Sequence, residues 1–189
     1  VMLGEIPAPT FHEQARIDFL CRRFSEIGLE KASVDEVGNG FAILPGSEDD
    51  NNIILVAHAD TSYPKDADHT ISITQDKMIG RGVADNSIGL AVLTTLPYLL
   101  EELKIQLRSN LILMGDVRSL GHGNLEGLRY FLDTTDLPIQ AGICIEGVNI
   151  GRLSYGSIGM LRGEITCTLP EEYDWRRYGT TNAIVTLAE

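Results

Sequence analysis

The sequence predicts an α/β fold, a three-layer sandwich with a largely parallel central sheet. Three observations lead there. Short, nearly continuous apolar runs recur at 52–57 (NIILVA), 110–114 and 141–145, as buried parallel strands do. Helical patterns alternate with these runs, which is the order that builds a sheet covered on both faces. Polar and titratable residues stand just past the runs, at the carboxyl ends of strands, where ligands of such sheets bind.

The elements follow in chain order. Thr10 followed by Glu13 is a capping-box signature. Ile17, Leu20, Cys21, Phe24 and Ile27 then recur at helical spacing until Gly28 stops the run, which predicts a first amphipathic helix. Residues 37–44 contain a Gly-Asn-Gly turn ahead of the first buried run. Asp85, Asn86 and Ser87 are N-cap residue types in front of a long apolar helix over 88–103, in which Pro97 is expected to cause a kink or an early break. From Arg152 the texture becomes a glycine-punctuated strand pattern (RLSYGSIGMLRGEITCTL), followed by acidic and aromatic residues and a helical stretch over 182–189 without a stop signal. The expected organisation is one main domain, residues 1–151, and the beginning of a smaller α+β unit, residues 152–189. The first residue, Val1, and the unfinished final helix predict a truncated chain.

A length of 189 residues suits one sizeable core rather than two complete ones. Lys and Arg number 15 against 27 Asp and Glu, and the net charge of −12 disfavours nucleic acid and anionic membrane as partners. No continuous apolar run approaches the roughly 20 residues of a membrane helix, and no basic-then-apolar leader opens the chain, so a soluble, cytoplasmic protein is expected. Cys21, Cys144 and Cys167 lack Cys-x-x-Cys spacing and sit in apolar stretches, which predicts small core residues.

His58 and Asp60 follow directly on the strand 52–57, in the segment AHADT. An imidazole with a carboxylate two residues on can ligate a metal through one side chain and orient it with the other. Asp85, at the mouth of a helix behind a glycine pair, can cap that helix or bridge two cations. Glu146 closes an apolar run as ICIEG, where an unpaired buried acid would be costly. One His and two carboxylates at three such edges suit Zn²⁺ with an open coordination position.

AHADTSYP, GRGVADNSIGLAVL, GNLEGLRYF and ICIEG resemble, in order and spacing, successive motifs of the zinc-dependent exopeptidase family of peptidase T, glutamate carboxypeptidase, aminoacylase and succinyl-diaminopimelate desuccinylase. The resemblance implies a catalytic-type metallopeptidase domain over 1–151, a lid or dimerisation unit from 152, and two zinc ions about 3.5 Å apart. It makes Asp85 the bridging ligand, places His58 and Glu146 on one metal, and has Asp60 orient His58. The other metal would need a Glu and a C-terminal His that has no counterpart within these residues.

The family usually carries adjacent glutamates, in a run resembling VGEEGLGDLRG, the first the general base and the second a metal ligand. Here the run reads MGDVRSLGHGNLEG, which puts Ser119 in the place of the base and Leu120 in that of the ligand. A Ser hydroxyl does not take up a proton at neutral pH as a carboxylate does, and Leu has no ligand atom. Asp116 and His122 flank the slot as substitutes, Asp116 being the first candidate for another base. In the smaller unit, LPEEYDWRRYG before TTNAI resembles GPGGHSWGDFG before PNAI, matching at Pro170, Trp175, Gly179 and Asn182 to Ile184. Tyr173 then replaces a His that, by resemblance, reaches a partner subunit's active site to stabilise an oxyanion, and Tyr brings no positive charge.

The expectation is a metallopeptidase scaffold with at most one zinc site, from His58, Asp85 and Glu146, impaired in hydrolysis. Its small-molecule partner is a peptide or an N-acyl amino acid, and the lid unit implies a homodimer. The alternatives are an active zinc-dependent aminopeptidase or carboxypeptidase using a different base, and a non-catalytic peptide-binding or regulatory protein.

Overall fold

The computed structural model describes residues 1–48, 51–147, 149, 151–156, 159, 163, 165–168 and 183–188. The chain divides into two compact units, Val1–Gly151 and Arg152–Glu189. In the first, the elements are α1 (Gln14–Glu26), β1 (Glu30–Val34), β2 (Gly40–Leu44), β3 (Asn52–His58), β4 (Ser72–Ile73), β5 (Met78–Ile79), α2 (Ile88–Glu102), β6 (Asn110–Asp116), α3 (Glu126–Thr134) and β7 (Ile139–Cys144).

The main sheet runs β1-β2-β6-β3-β7. β6, β3 and β7 are parallel, and the β1-β2 hairpin joins β6 antiparallel, so the parallel centre carries an antiparallel edge. In register, His58 lies opposite Asp116, which brings the polar ends of β3 and β6 side by side. Alternation along the strands feeds two apolar layers. Leu55, Ala57 and Leu113 pack with Ile17, Leu20 and Phe24 of α1 and Leu90 and Leu93 of α2, while Ile43, Ile54, Val56, Ile112 and Met114 pack with Phe131 of α3. That gives helices on both faces, the three-layer arrangement. A Cβ on Gly115 would stand 2.4 Å from Leu20 Cδ2, so glycine in β6 lets α1 approach closely.

Several expectations are corrected. Of the two effects expected of Pro97, a kink or an early break, the break does not occur, and α2 runs on to Glu102: Leu90 and Leu93 are fully buried, and their burial outweighs the roughly 3 kcal/mol that an interior proline costs. Thr10 does not cap α1, because its hydroxyl donates instead to Asp60 Oδ2 at 2.8 Å; the N-cap is Glu13. Cys144 is exposed and Cys21 and Cys167 are half-buried, so none of the three is a closed core residue. β7 lies at the edge of the sheet, with Gln140 to Cys144 exposed, rather than in the buried setting its apolar run predicts. The segment Val83–Glu102, 20 residues with hydropathy 1.3, is by length and composition apolar enough to cross a membrane; here α2 covers one face of the sheet. The exposed β1 and the short β4-β5 hairpin had no recognisable pattern in the sequence.

In the second unit, α4 spans Ala183–Ala188, within the helical stretch read from the sequence. No strand occurs among its described residues before that helix, and Leu153, Tyr155 and Ile165 are exposed. Pro170, Tyr173, Trp175, Gly179 and Asn182 lie outside the described residues.

Candidate metal centre

β3 ends on His58, whose side chain is nearly closed from solvent. Its Nδ1 lies 2.9 Å from the main-chain oxygen of Asp60 and 3.3 Å from Asp60 Oδ1. Donation from Nδ1–H leaves Nε2 facing outward, 2.8 Å from Asp85 Oδ1 and 3.8 Å from Glu146 Oε2. Each of the three residues offers one ligand atom, and these atoms lie within 4.8 Å of one another. Both carboxylates are about half exposed, at 55% and 54%, so the cluster opens to solvent on one side.

Local structure explains the convergence. Asp85 sits in the irregular turn Val83–Ser87, where it and Asn86 leave helical geometry before α2 begins; the Asp85–Asn86 peptide is cis. Asn86 is fully buried. Its Nδ2 donates to the carbonyl of Ile145 at 2.6 Å, and its Oδ1 accepts from the N–H of Gly89 at 3.0 Å. Ile145 N–H donates in turn to Val56 at 2.7 Å, which extends the β3-β7 ladder to the residue before Glu146. Gly147 completes the approach, because a Cβ there would stand 2.4 Å from the backbone oxygen of Ala84.

Asp60 is fully buried. Its Oδ2 accepts from Thr10 Oγ1 at 2.8 Å and from Leu120 N–H at 2.8 Å. Burial works against its charge, but the hydrogen bonds from His58, Leu120 and Thr10 win and hold the carboxyl below its ordinary range. For His58, burial lowers the imidazole pKa, yet the Asp60 hydrogen bond and the carboxylates of Glu146, Asp60 and Asp85 raise it from 6.5 to about 9. Burial and the neighbouring Asp85 push the Glu146 carboxyl up, partly offset by His58. The two carboxylates that raise the imidazole pKa would favour any cation placed between them. One nitrogen and two carboxylate oxygens, with an open side, fit a zinc-type ion.

Ser119 and Leu120, which the family resemblance sets in the place of the glutamate pair, lie beside this cluster. Ser119 donates its hydroxyl to Asp116 Oδ2, and Leu120 contributes only its backbone N–H, to Asp60. Burial raises the Asp116 carboxyl from 3.8 to about 6, against the lowering effects of Ser119 and His58. His122 lies in the short 3₁₀ turn Gly121–Gly123 and is exposed. The sequence pointed to His58, Asp60, Asp85 and Glu146, which the fold brings to one end of the sheet. The bridging role of Asn86 and the Thr10–Asp60 bond went unrecognised, because in the sequence both residues resemble helix caps.

No protein-family model matches the sequence, and no curated protein matches it. Solved structures do share the fold. The chain is similar to the aminopeptidase PepT of Bacillus cereus, with a TM-score of 0.60 and 20% identity over 77% of this chain and 41% of that one. Human carnosine dipeptidase 1 gives a TM-score of 0.63 and 14% identity, over 79% of this chain and 37% of that one. The YxeP protein of Bacillus subtilis, described as a dinuclear metal-binding peptidase from the M20 family, gives 0.54 and 17%, over 77% and 40%. The chain therefore spans less than half the length of each. At these identities the likeness shows the fold alone, a mixed α/β fold shared with M20 metallopeptidase domains.

Proposed function

We propose that the chain belongs to the M20-type metallopeptidases and is a scaffold that holds one zinc-type ion at His58, Asp85 and Glu146, binds a peptide or N-acyl amino acid at the strand ends, and is impaired in hydrolysis. The observation that carries this reading is the convergence of three ligand atoms beside a slot whose residues do neither of the jobs required there. When bound, the ion supplies Lewis acidity toward a substrate carbonyl. His58 would be held for that ion by Asp60, Asp85 and Glu146 would neutralise its charge, and the half-exposed carboxylates leave room for a ligand. Ser119 is committed to Asp116 and takes up no proton at neutral pH.

A second reading has one specific observation in its favour. Asp116 carries a carboxyl raised to about 6, in the range of a working general base, and meets Ser119 directly. In that reading the chain is an active exopeptidase with Asp116 as base. Measuring bound metal and dipeptide hydrolysis on the same preparation, with Asp116→Asn beside the unaltered chain, tests both. Hydrolysis lost in Asp116→Asn supports the second reading, and metal binding without hydrolysis supports the first. The homodimer and the cytoplasmic location belong to the proposal.

A further inference from the structure

We propose that Arg16 is a positioning residue of the metal centre, a buried guanidinium that fixes the 58–60 arm through the carbonyl of Ala59 and so holds the His58 imidazole in its ligating orientation. This rests on the metal-site reading above.

Arg16 lies on the inner face of α1 with Ile17, Leu20 and Phe24, and like them it has no exposed surface. Its Nη1 donates to the main-chain oxygen of Ala59 at 3.1 Å and its Nη2 to that of Ile6 at 2.6 Å, while Nε has no partner among the described residues. Burying a guanidinium against two carbonyls, with Asp60 nearby but no ion pair to it among the described residues, is expensive, and an aliphatic side chain would fill the same space at lower cost. Burial indeed lowers the Arg16 pKa to about 10, with Asp60 as the opposing charge. Stability alone does not account for arginine here.

What Arg16 grips does account for it. Ala59 separates His58 from Asp60, and the Asp60 main-chain oxygen is the partner of His58 Nδ1. The same short arm is held on its other sides: Ala59 N–H donates to Asp116 at 2.7 Å, Thr61 N–H donates to Ala8 at 2.8 Å, and Pro9 bridges Thr61. Because Arg16 also holds Ile6, it joins the 6–10 segment that supplies Thr10 to Asp60 with the arm that carries His58. Releasing the Ala59 carbonyl frees the peptide on which the imidazole's partner is mounted. The expected consequence is a less well-directed Nε2.

The test is a titration of the metal-free full chain with Co²⁺, followed by visible absorption, which reports affinity and ligand geometry without any activity. The variants are Arg16→Met, Arg16→Lys and, as a core-destabilised control on the same helix, Leu20→Ala. Arg16→Met is expected to weaken Co²⁺ binding about 10- to 100-fold, the loss typical when a group supporting a ligand is removed, and to alter the visible band. Arg16→Lys recovers part of the affinity, since an ammonium reaches one carbonyl but lacks the planar fork. Leu20→Ala binds as the unaltered chain does. Unchanged affinity and spectrum in Arg16→Met, or in Arg16→Leu if the Met variant does not fold, overturns the proposal while leaving the metal site standing. No Co²⁺ binding by the unaltered chain overturns the metal-site reading and this proposal with it.

Discussion

The side-chain amide of Asn86 donates to the carbonyl of Ile145 at 2.6 Å, tying the residue after Asp85 to the residue before Glu146. Its other end caps α2 through Gly89. One buried side chain thus ties the first turn of α2 to the strand end that carries Glu146. Asn86→Asp keeps the acceptor for Gly89 and removes the donor to Ile145. We expect its helical circular dichroism to be unchanged and its metal affinity to fall by about 10- to 100-fold. Affinity equal to the unaltered chain would mean that the strand ladder alone sets the separation.

Metal stoichiometry follows from the donor set. Among the described residues His58, Asp85 and Glu146 make one such group, and Leu120 has no side-chain donor to build a second. Elemental analysis after reconstitution should find no more than one equivalent per chain, and none in His58→Ala. Two equivalents of zinc would contradict the assignment.

Hydrolysis tests the slot itself. Di- and tripeptides should not be cleaved at a measurable rate, because the Ser119 hydroxyl is committed to Asp116 and is no base at neutral pH. Ser119→Glu with Leu120→Glu introduces the glutamate pair that the family resemblance expects and should raise metal affinity more readily than activity. Strong cleavage by the unaltered chain, abolished by chelator and by His58→Ala, would show that another residue serves as base.

The metal-free chain should also lose stability toward alkaline pH. The folded-state pKa of His58, about 9, lies above its ordinary 6.5, so protonation favours the folded state. That contribution is complete below about pH 6.5, is lost as pH rises through about 9, and is on the order of 3 kcal/mol. Asp116 adds a smaller loss lower down, between its ordinary 3.8 and about 6, because folding there favours the protonated carboxyl. Thermal melts of the metal-free chain should therefore give a Tm that falls between pH 6.5 and 9. His58→Gln should flatten that fall, and an unaltered chain with a flat profile would refute the assignment.

Helical periodicity sufficed for α1 and continuous apolar runs for β3 and β6, because α1 buries one face and each of these strands buries both. The family resemblance singled out His58, Asp60, Asp85 and Glu146, and the fold brings these four to one end of the sheet; their roles there belong to the proposal. The uses of Thr10, Arg16 and Asn86 were decided by tertiary structure. Each spends its polar atoms on a partner at least 10 residues away, Ile6 being the nearest for Arg16, except for the local Asn86–Gly89 cap. Ser/Thr/Asn side chains satisfy a local cap or a distant group with equal chemistry, and only packing selects between them. Pro97 inside α2 and β7 at the sheet edge have the same origin: local propensity states what a segment prefers, and burial against its neighbours decides what it does.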